Sequence, residues 1–336
     1  YMRIIFKKFK ARMIVGCILA VIALLAVSVI VFINQASFGR TPRGERLERV
    51  MKSPNYRNGE FKNQHETLLM TSDRGRFSGI WEFIFRKIDG LRPEQAVKAI
   101  KTDLRKIGRN EEILVWFGHS SYLIQTGGKR ILVDPVFCMP SPVSFVNKPF
   151  KGTELYTPDD MPDIDYLVIS HDHWDHLDYN TVKKLKDRIG AVICPLGVGE
   201  HFEYWGFDKE RLIELDWNED ANLAPGFMIH CLPARHFSGR RLTANQSLWA
   251  SFLLEAPSQK IYIGGDGGYD THYAEIGNRF PGIDLAILEN GQYNEEWSLI
   301  HLMPQYMAQT ARDLKAKRVL TVHHSKYALA KHRWDE

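Results

Sequence analysis

Of the 13 histidines in this 336-residue chain, 12 lie beyond residue 111. Three of them share one stretch, Ser170-His171-Asp172-His173-Trp174-Asp175-His176-Leu177-Asp178. Imidazole and carboxylate are the donors that hold catalytic zinc, which also needs an open position for water. His171 and His173 stand two apart on backbone extended after DYLVIS, so they project to one side. A helix opening near Asp175 is expected to aim Asp175 and His176 at a second point nearby. One segment thus offers two ligands to each of two metals. Further donors must come from elsewhere, and three follow strand-like runs: His236 in PARHFSGR, Asp266 in GGDGGYD and His323 in TVHHSK. A carboxylate at Asp266 can bridge two cations, and the glycines beside it let backbone and metal approach closely. His323 is preferred to His324 because it is the first residue past the apolar run RVLTV. His119 and Asp134, each closing an early strand, are read as orienting loops or ligand imidazoles. His65, His201, His230, His272 and His332 are read as structural.

Ten short apolar runs are expected to be the strands that position these donors: ILVWFG, SYLIQT, KRILVD, DYLVIS, AVICP, FMIHCL, SLWASFLLE, KIYIGGD, LAILE and RVLTVH. TVKKLKDRI and PQYMAQTARDLKA have helical periodicity, and Arg92-Pro93-Glu94 is expected to open a helix running to Lys106. Strands dominate early and helices appear late, which fits an α/β sheet sandwich with outer helices. The proline-rich loop 135–150 reads equally as a rigid lid or a surface connection.

Charge divides the chain. Residues 1–52 carry a net +8 and the remainder −4, so the bulk lacks the basic footprint that nucleic acid requires. The positive clusters flank Met13–Ile33, 21 uncharged residues, enough to cross a hydrocarbon core of about 30 Å. No small-residue cleavage site follows, which predicts an uncleaved single-pass anchor. The expected organisation is a basic tail over 1–12, the anchor over 13–33, a linker and N-terminal arm over 34–110, and the sandwich domain over 111–336. Within the arm, Phe77–Ile88 has helical apolar spacing and reads equally as an interfacial helix or an arm packed on the domain. Five basic residues lie on either side of the span, and Arg12 abuts it. That nearness predicts a cytoplasmic N-terminus and an external, or periplasmic, catalytic domain at the cell membrane. Four cysteines without a CxxC pair exclude a thiolate zinc site.

The ordered set HDHWDH, His236, Asp266 and His323 resembles the metallo-β-lactamase superfamily. WFGHSSYLI, LVDPVF, SHDHWDHLD, PARHFSGR, GGDGGYD and TVHHSKYALA narrow the resemblance to the N-acylphosphatidylethanolamine-hydrolysing phospholipase D branch, over about residues 50–336. It implies an αββα sandwich holding two Zn²⁺, with Mn²⁺ or Fe²⁺ as substitutes. His171, His173 and His236 would hold the first ion, and Asp175, His176 and His323 the second, with Asp266 bridging. Asp175, Asp266 and His301 would be the catalytic residues, with His301 near the leaving group; in its own setting, SLIHLMP, His301 reads equally as a substrate-side hydrogen-bonding residue or a satisfied surface histidine. A metal-bridging hydroxide would attack a phosphodiester, releasing phosphatidate and N-acylethanolamine from a phospholipid. A lactonase or carboxylic-ester hydrolase shares this ligand set, and a membrane-tethered non-enzymatic regulator is the third reading. The chain departs from the family in stopping at Glu336, where members add a closing strand and helix, and in its anchor, which the animal enzymes lack.

Overall fold

The computed structural model describes residues 2–71, 88–143, 146–330 and 332–336. Most of the expected Phe77–Ile88 helix lies outside them. Two six-stranded sheets form the centre. The first runs in the order β3 (Ile113–Trp116), β4 (Tyr122–Thr126), β5 (Lys129–Val133), β6 (Ile164–Val168), β7 (Ile189–Pro195), β8 (Leu212–Leu215). The second runs β14 (Val319–Val322), β13 (Leu285–Glu289), β12 (Lys260–Ile263), β11 (Ser251–Glu255), β10 (Phe227–Leu232), β9 (Asp220–Ala224). A hairpin of β1 (Tyr56–Arg57) and β2 (Glu60–Phe61) precedes both.

Alternation along each strand sorts the side chains into layers. Ile124, Ile131, Val133 and Val168 face Ile229, Phe252, Leu254 and Ile263 between the sheets. Leu123, Leu132, Leu167 and Val192 point the other way, onto α3 (Tyr179–Leu185) and α4 (Gly199–Tyr204). Leu253, Tyr262 and Leu288 cover the outer face of the second sheet beneath α5 (His272–Arg279), and α6 (Pro304–Asp313) packs on α5. The architecture is therefore the expected αββα sandwich.

All ten expected strands form. β8 and β9 carry little signal in the sequence because Leu-Ile-Glu-Leu is short and Asp-Ala-Asn-Leu-Ala has poor strand propensity; β9 exists through its pairing with β10. Two expected helices do not form. Residues 92–103 are irregular, with only a 3-10 turn at Leu104–Lys106. No helix starts at Asp175 either: Trp174–His176 is a turn, and α3 begins at Tyr179, capped by the Asp178 side chain accepting from Asn180 N–H at 3.0 Å. An Asp is a better N-cap than an interior residue, and it sits three positions later.

The N-terminal helix α1 (Met2–Ile33) includes Lys8–Ile33, long and apolar enough to cross a membrane, with residues 12–31 exposed throughout. After it, α2 (Gly44–Lys52) and the hairpin pack on the sandwich: Val50 and Phe61 are fully buried in the layer between the sheets. This part of the arm belongs to the core.

Candidate metal centre

β3, β5 and β6 point one way in the first sheet, as do β10, β12, β13 and β14 in the second. Their C-terminal ends meet at one edge. His119 follows β3, Asp134 follows β5, the 171–176 segment follows β6, His236 follows β10, Asp266 follows β12 and His323 follows β14; Glu289 ends β13. Seven chain segments thus deliver polar groups to one place, the usual location of sites in sheets of this kind.

Three groupings have donor atoms within 4.8 Å of one another: His171 with His173 and His236; His119 with Asp175, His176 and His323; and His171 with His176 and Asp266. A fourth joins Asp266, Glu289, His301 and His323. Asp266 therefore lies between the two histidine clusters, its Oδ2 3.1 Å from His176 Nε2 and its Oδ1 3.3 Å from His323 Nδ1. All seven donors expected from the sequence are brought together, and His323 rather than His324 is among them. His324 packs at a tilt against Trp116 instead, their ring centroids 4.7 Å apart.

The donors suit cations. His171 Nε2 and His236 Nε2 lie 2.8 and 3.2 Å from His173 Nδ1, a convergence of imidazole lone pairs. His323 Nε2 and Asp266 Oδ1 are buried with no hydrogen-bond partner, and His176 Nε2 faces the Asp266 carboxylate. Buried polar atoms are rarely left so, and a shared cation satisfies them together. The far sides of the rings are occupied: His176 Nδ1–H donates to Asp134 Oδ2 at 2.8 Å, His236 Nδ1–H donates to Ile300 O at 2.7 Å, and His323 Nδ1 lies 2.7 Å from Ser120 Oγ. Such bonds fix which nitrogen presents its lone pair. Burial pulls His171, His236 and His323 well below the ordinary imidazole range, so they stand neutral, the state a ligand needs. Burial also raises Asp266, to about 7, and the nearby Glu289 carboxylate adds to it.

Gly265 makes the Asp266 turn possible. Its φ is +60°, and a side-chain Cβ there would lie 2.8 Å from Ser170 Cβ and 3.0 Å from Ala250 O. Ser170 Oγ–H in turn donates to Asp134 Oδ2 at 2.6 Å, linking this turn to the carboxylate behind His176.

His301 stands at the rim. Its Nδ1–H donates to Glu289 Oε2 at 2.7 Å, leaving Nε2 free. Burial would lower this imidazole, but the Glu289 charge outweighs it and raises the ring to about 9. Glu289 was not singled out from the sequence, although it carries the same signal as Asp134 and Asp266: an acid closing an apolar strand. Asp172, between two of the expected donors, is a second residue of this kind. It is buried and accepts from Gly239 N–H, Ser247 Oγ–H and His201, so His201 is a partner of the ligand segment.

A cleft of about 420 Å³ opens onto these groups, walled by Leu69, Met70, Trp174, Phe237 and Trp297, with Pro140 and Pro142 of the 135–150 loop on one side. It is apolar where it leaves the donors.

A family model described as a β-lactamase superfamily domain matches residues 129–324. An uncharacterized protein of Mycobacterium tuberculosis is 36% identical over 298 residues, covering 85% of this chain and 78% of that one. An N-acyl-phosphatidylethanolamine-hydrolyzing phospholipase D of Caenorhabditis elegans is 29% identical over 231 residues, 64% of each chain. Among solved structures, the diiron β-hydroxylase CmlA of Streptomyces venezuelae superposes with a TM-score of 0.51 at 19% identity, over 67% of this chain and 46% of that one. That likeness speaks for the fold alone.

Proposed function

Because this chain belongs to the metallo-β-lactamase superfamily and is a metal-dependent hydrolase, we propose that it is a membrane-anchored dinuclear phosphodiesterase of phospholipase D type. Its substrates would be N-acylphosphatidylethanolamine-like lipids. The observation that carries this reading is an apolar cleft ending on seven converged donors with the hydrogen-bonded His301–Glu289 pair at its rim. Acyl chains suit the cleft walls, and the phosphodiester suits its floor. The relative named for this activity in Caenorhabditis elegans supports the choice.

His171, His173 and His236 would hold one ion and Asp175, His176 and His323 the other, with Asp266 between them. Zinc matches imidazole and carboxylate donors, with manganese or iron as substitutes. Ions bound there would supply Lewis acidity toward the phosphoryl oxygens and lower the pKa of a water. The chain itself does the rest. Asp134, Ile300 O and Ser120 hold the imidazoles in the required orientation. His301, kept protonated by Glu289, holds a proton at Nε2 for the departing N-acylethanolamine oxygen. Trp174 and Phe237 exclude water from the cleft wall.

Helix α1 would anchor the protein, with the catalytic domain on the external face as the position of Arg12 implies. Cys138 is exposed whereas Cys194 and Cys231 are buried. An impermeant thiol reagent added to intact spheroplasts should therefore label Cys138, and protection of Cys138 would reverse the orientation.

The substrate test is a comparison. Purified full-length protein in detergent should cleave N-acylphosphatidylethanolamine to phosphatidate and N-acylethanolamine, and should cleave bis-p-nitrophenyl phosphate more slowly. Opening of an acyl lactone without cleavage of either phosphodiester would replace this reading with the lactonase one.

A further inference from the structure

The residues that follow α1 are built into the segment carrying the metal donors. Trp205 Nε1–H donates to Ala36 O at 2.7 Å, Arg240 Nε–H to Ser37 O at 2.7 Å and Arg241 Nη1–H to Gly39 O at 2.6 Å. The backbone N–H of Arg40 donates to His201 Nδ1 at 3.0 Å. That bond places the ring proton on Nε2, which donates to Asp172 Oδ2 at 3.2 Å. Asp172 lies between His171 and His173. Gly39 has φ +64°, and a Cβ there would lie 2.0 Å from His201 Nδ1, so no other residue seats this turn without displacing His201.

A second connection runs through rings. Phe32, at the end of α1, meets Phe38 edge-on at 5.2 Å, and Phe38 meets Trp174 edge-on at 4.9 Å. The Arg240 guanidinium covers the Trp174 indole at 4.0 Å and donates to the carbonyls of Asp172 and Leu177. Trp174 stands between His173 and Asp175 and lines the cleft. The segment 173–177 has little backbone bonding of its own, His176 and Leu177 N–H both turning to His173 O. A turn so sparsely bonded takes its shape from what packs against it.

We propose that Ala36–Arg40 is a positioning strap for the metal centre: by bracing Trp174 through Phe38 and Arg240, it keeps His173 and Asp175 converged on their partners. The membrane anchor thereby ends inside the structural support of the site, and Phe38 and Arg240 are positioning residues. The inference rests on the ligand assignment proposed above and is independent of which bond is hydrolysed.

The test uses full-length protein in detergent carrying Phe38→Ala, Trp174→Ala, both together, and Phe38→Tyr. Zinc affinity is read by competition with a chromophoric chelator. Trp174 emission is read as the difference between each protein and its Trp174→Phe counterpart, and turnover is read on soluble bis-p-nitrophenyl phosphate. Phe38→Ala is expected to weaken zinc binding about tenfold and to shift Trp174 emission, with little change in melting midpoint. The double variant is expected to be no worse than the worse single one, since contacting residues are coupled. Phe38→Tyr, which keeps the ring, restores the affinity. Multiplicative effects of the two substitutions, or wild-type zinc affinity in Phe38→Ala, would overturn the strap. Should Phe38→Ala unfold, Phe38→Leu carries the same comparison. Wild-type protein that binds zinc but cleaves no phosphodiester sinks the substrate reading alone, because affinity and emission still report on the strap.

Discussion

The donor edge and the arm that follows α1 both hold charged groups out of water, and they do so in opposite ways. At the edge, acids and imidazoles sit at the ends of strands, and their lone pairs converge without enough protons to satisfy them. In the arm, the buried charge around Arg46 is met by opposite charges from far along the chain. Arg46, 8% exposed, binds Glu200, Glu203 and Glu214 at 2.6 to 2.9 Å, and Arg40 joins it on Glu200 at 2.5 Å. Glu214 also accepts from the N–H groups of Gly197 and Gly199. An arrangement that leaves its buried atoms unsatisfied is suited to taking up a ligand, whereas one that closes on itself is suited to holding the chain in place.

Substitutions should separate the two regions. Asp266→Asn is expected to have the largest effect, lowering kcat/KM by more than the roughly 100-fold that loss of an outer hydrogen-bonding partner costs, while the melting midpoint of the metal-free protein stays near wild type. His301→Ala should cost less than Asp266→Asn, and near-normal turnover in the Asp266 variant would contradict the site. Arg46→Ala should reverse the pattern, leaving the buried Glu214 carboxylate without a counter-charge and Glu200 with its remaining arginine partners, at a cost of about 3 kcal/mol in denaturant unfolding. The rate per folded molecule should change far less than in the Asp266 variant. A loss below about 1 kcal/mol would place Arg46 with ordinary surface pairs and erase the contrast.

Glu289→Gln probes the edge without removing a proposed ligand. Its carboxylate raises the His301 pKa; without it the ring loses its proton at lower pH. The alkaline limb of kcat/KM should therefore move to lower pH, and an unmoved limb would remove His301 as the proton donor. Arg49→Ala should have the smallest effect. Its pair with Glu219 spans 2.6 Å, but both side chains are nearly half exposed. A loss under about 1 kcal/mol that disappears in high salt is expected.

The same contrast explains what could be read from the sequence. Donors at the edge are signalled locally, since a histidine or acid directly after an apolar run occupies a strand end wherever the sheet places it. His323 has that signature, and His171, Asp266 and His236 follow within four residues of a strand end. Glu289 has it too, but closes a strand whose next residues look like an ordinary loop. The 171–178 segment differs from its sequence expectation in one respect: spacing announces two pairs of donors, while the turn that delivers them depends on Asp178 and on packing against Phe38 and Arg240. The arm carries no local signal at all. Arg40 and Arg46 look like juxtamembrane charge until Glu200, more than 150 positions later, is folded against them. The same is true of Val50 and Phe61, whose burial depends on a sheet formed much further along the chain.

The proposed ligands divide between the two sheets. His171, His173, Asp175 and His176 follow a strand of the first; His236, Asp266 and His323 follow strands of the second. An ion shared across that division would act as a rivet through one side of a layered plate, resisting any splaying of the layers there. At the far side, where those strands start, no comparable donor cluster lies among the described residues. Loading the site should thus stiffen the molecule unevenly, slowing amide exchange most along β6, β12 and β14 near their C-terminal ends and least at the opposite margin of the sandwich.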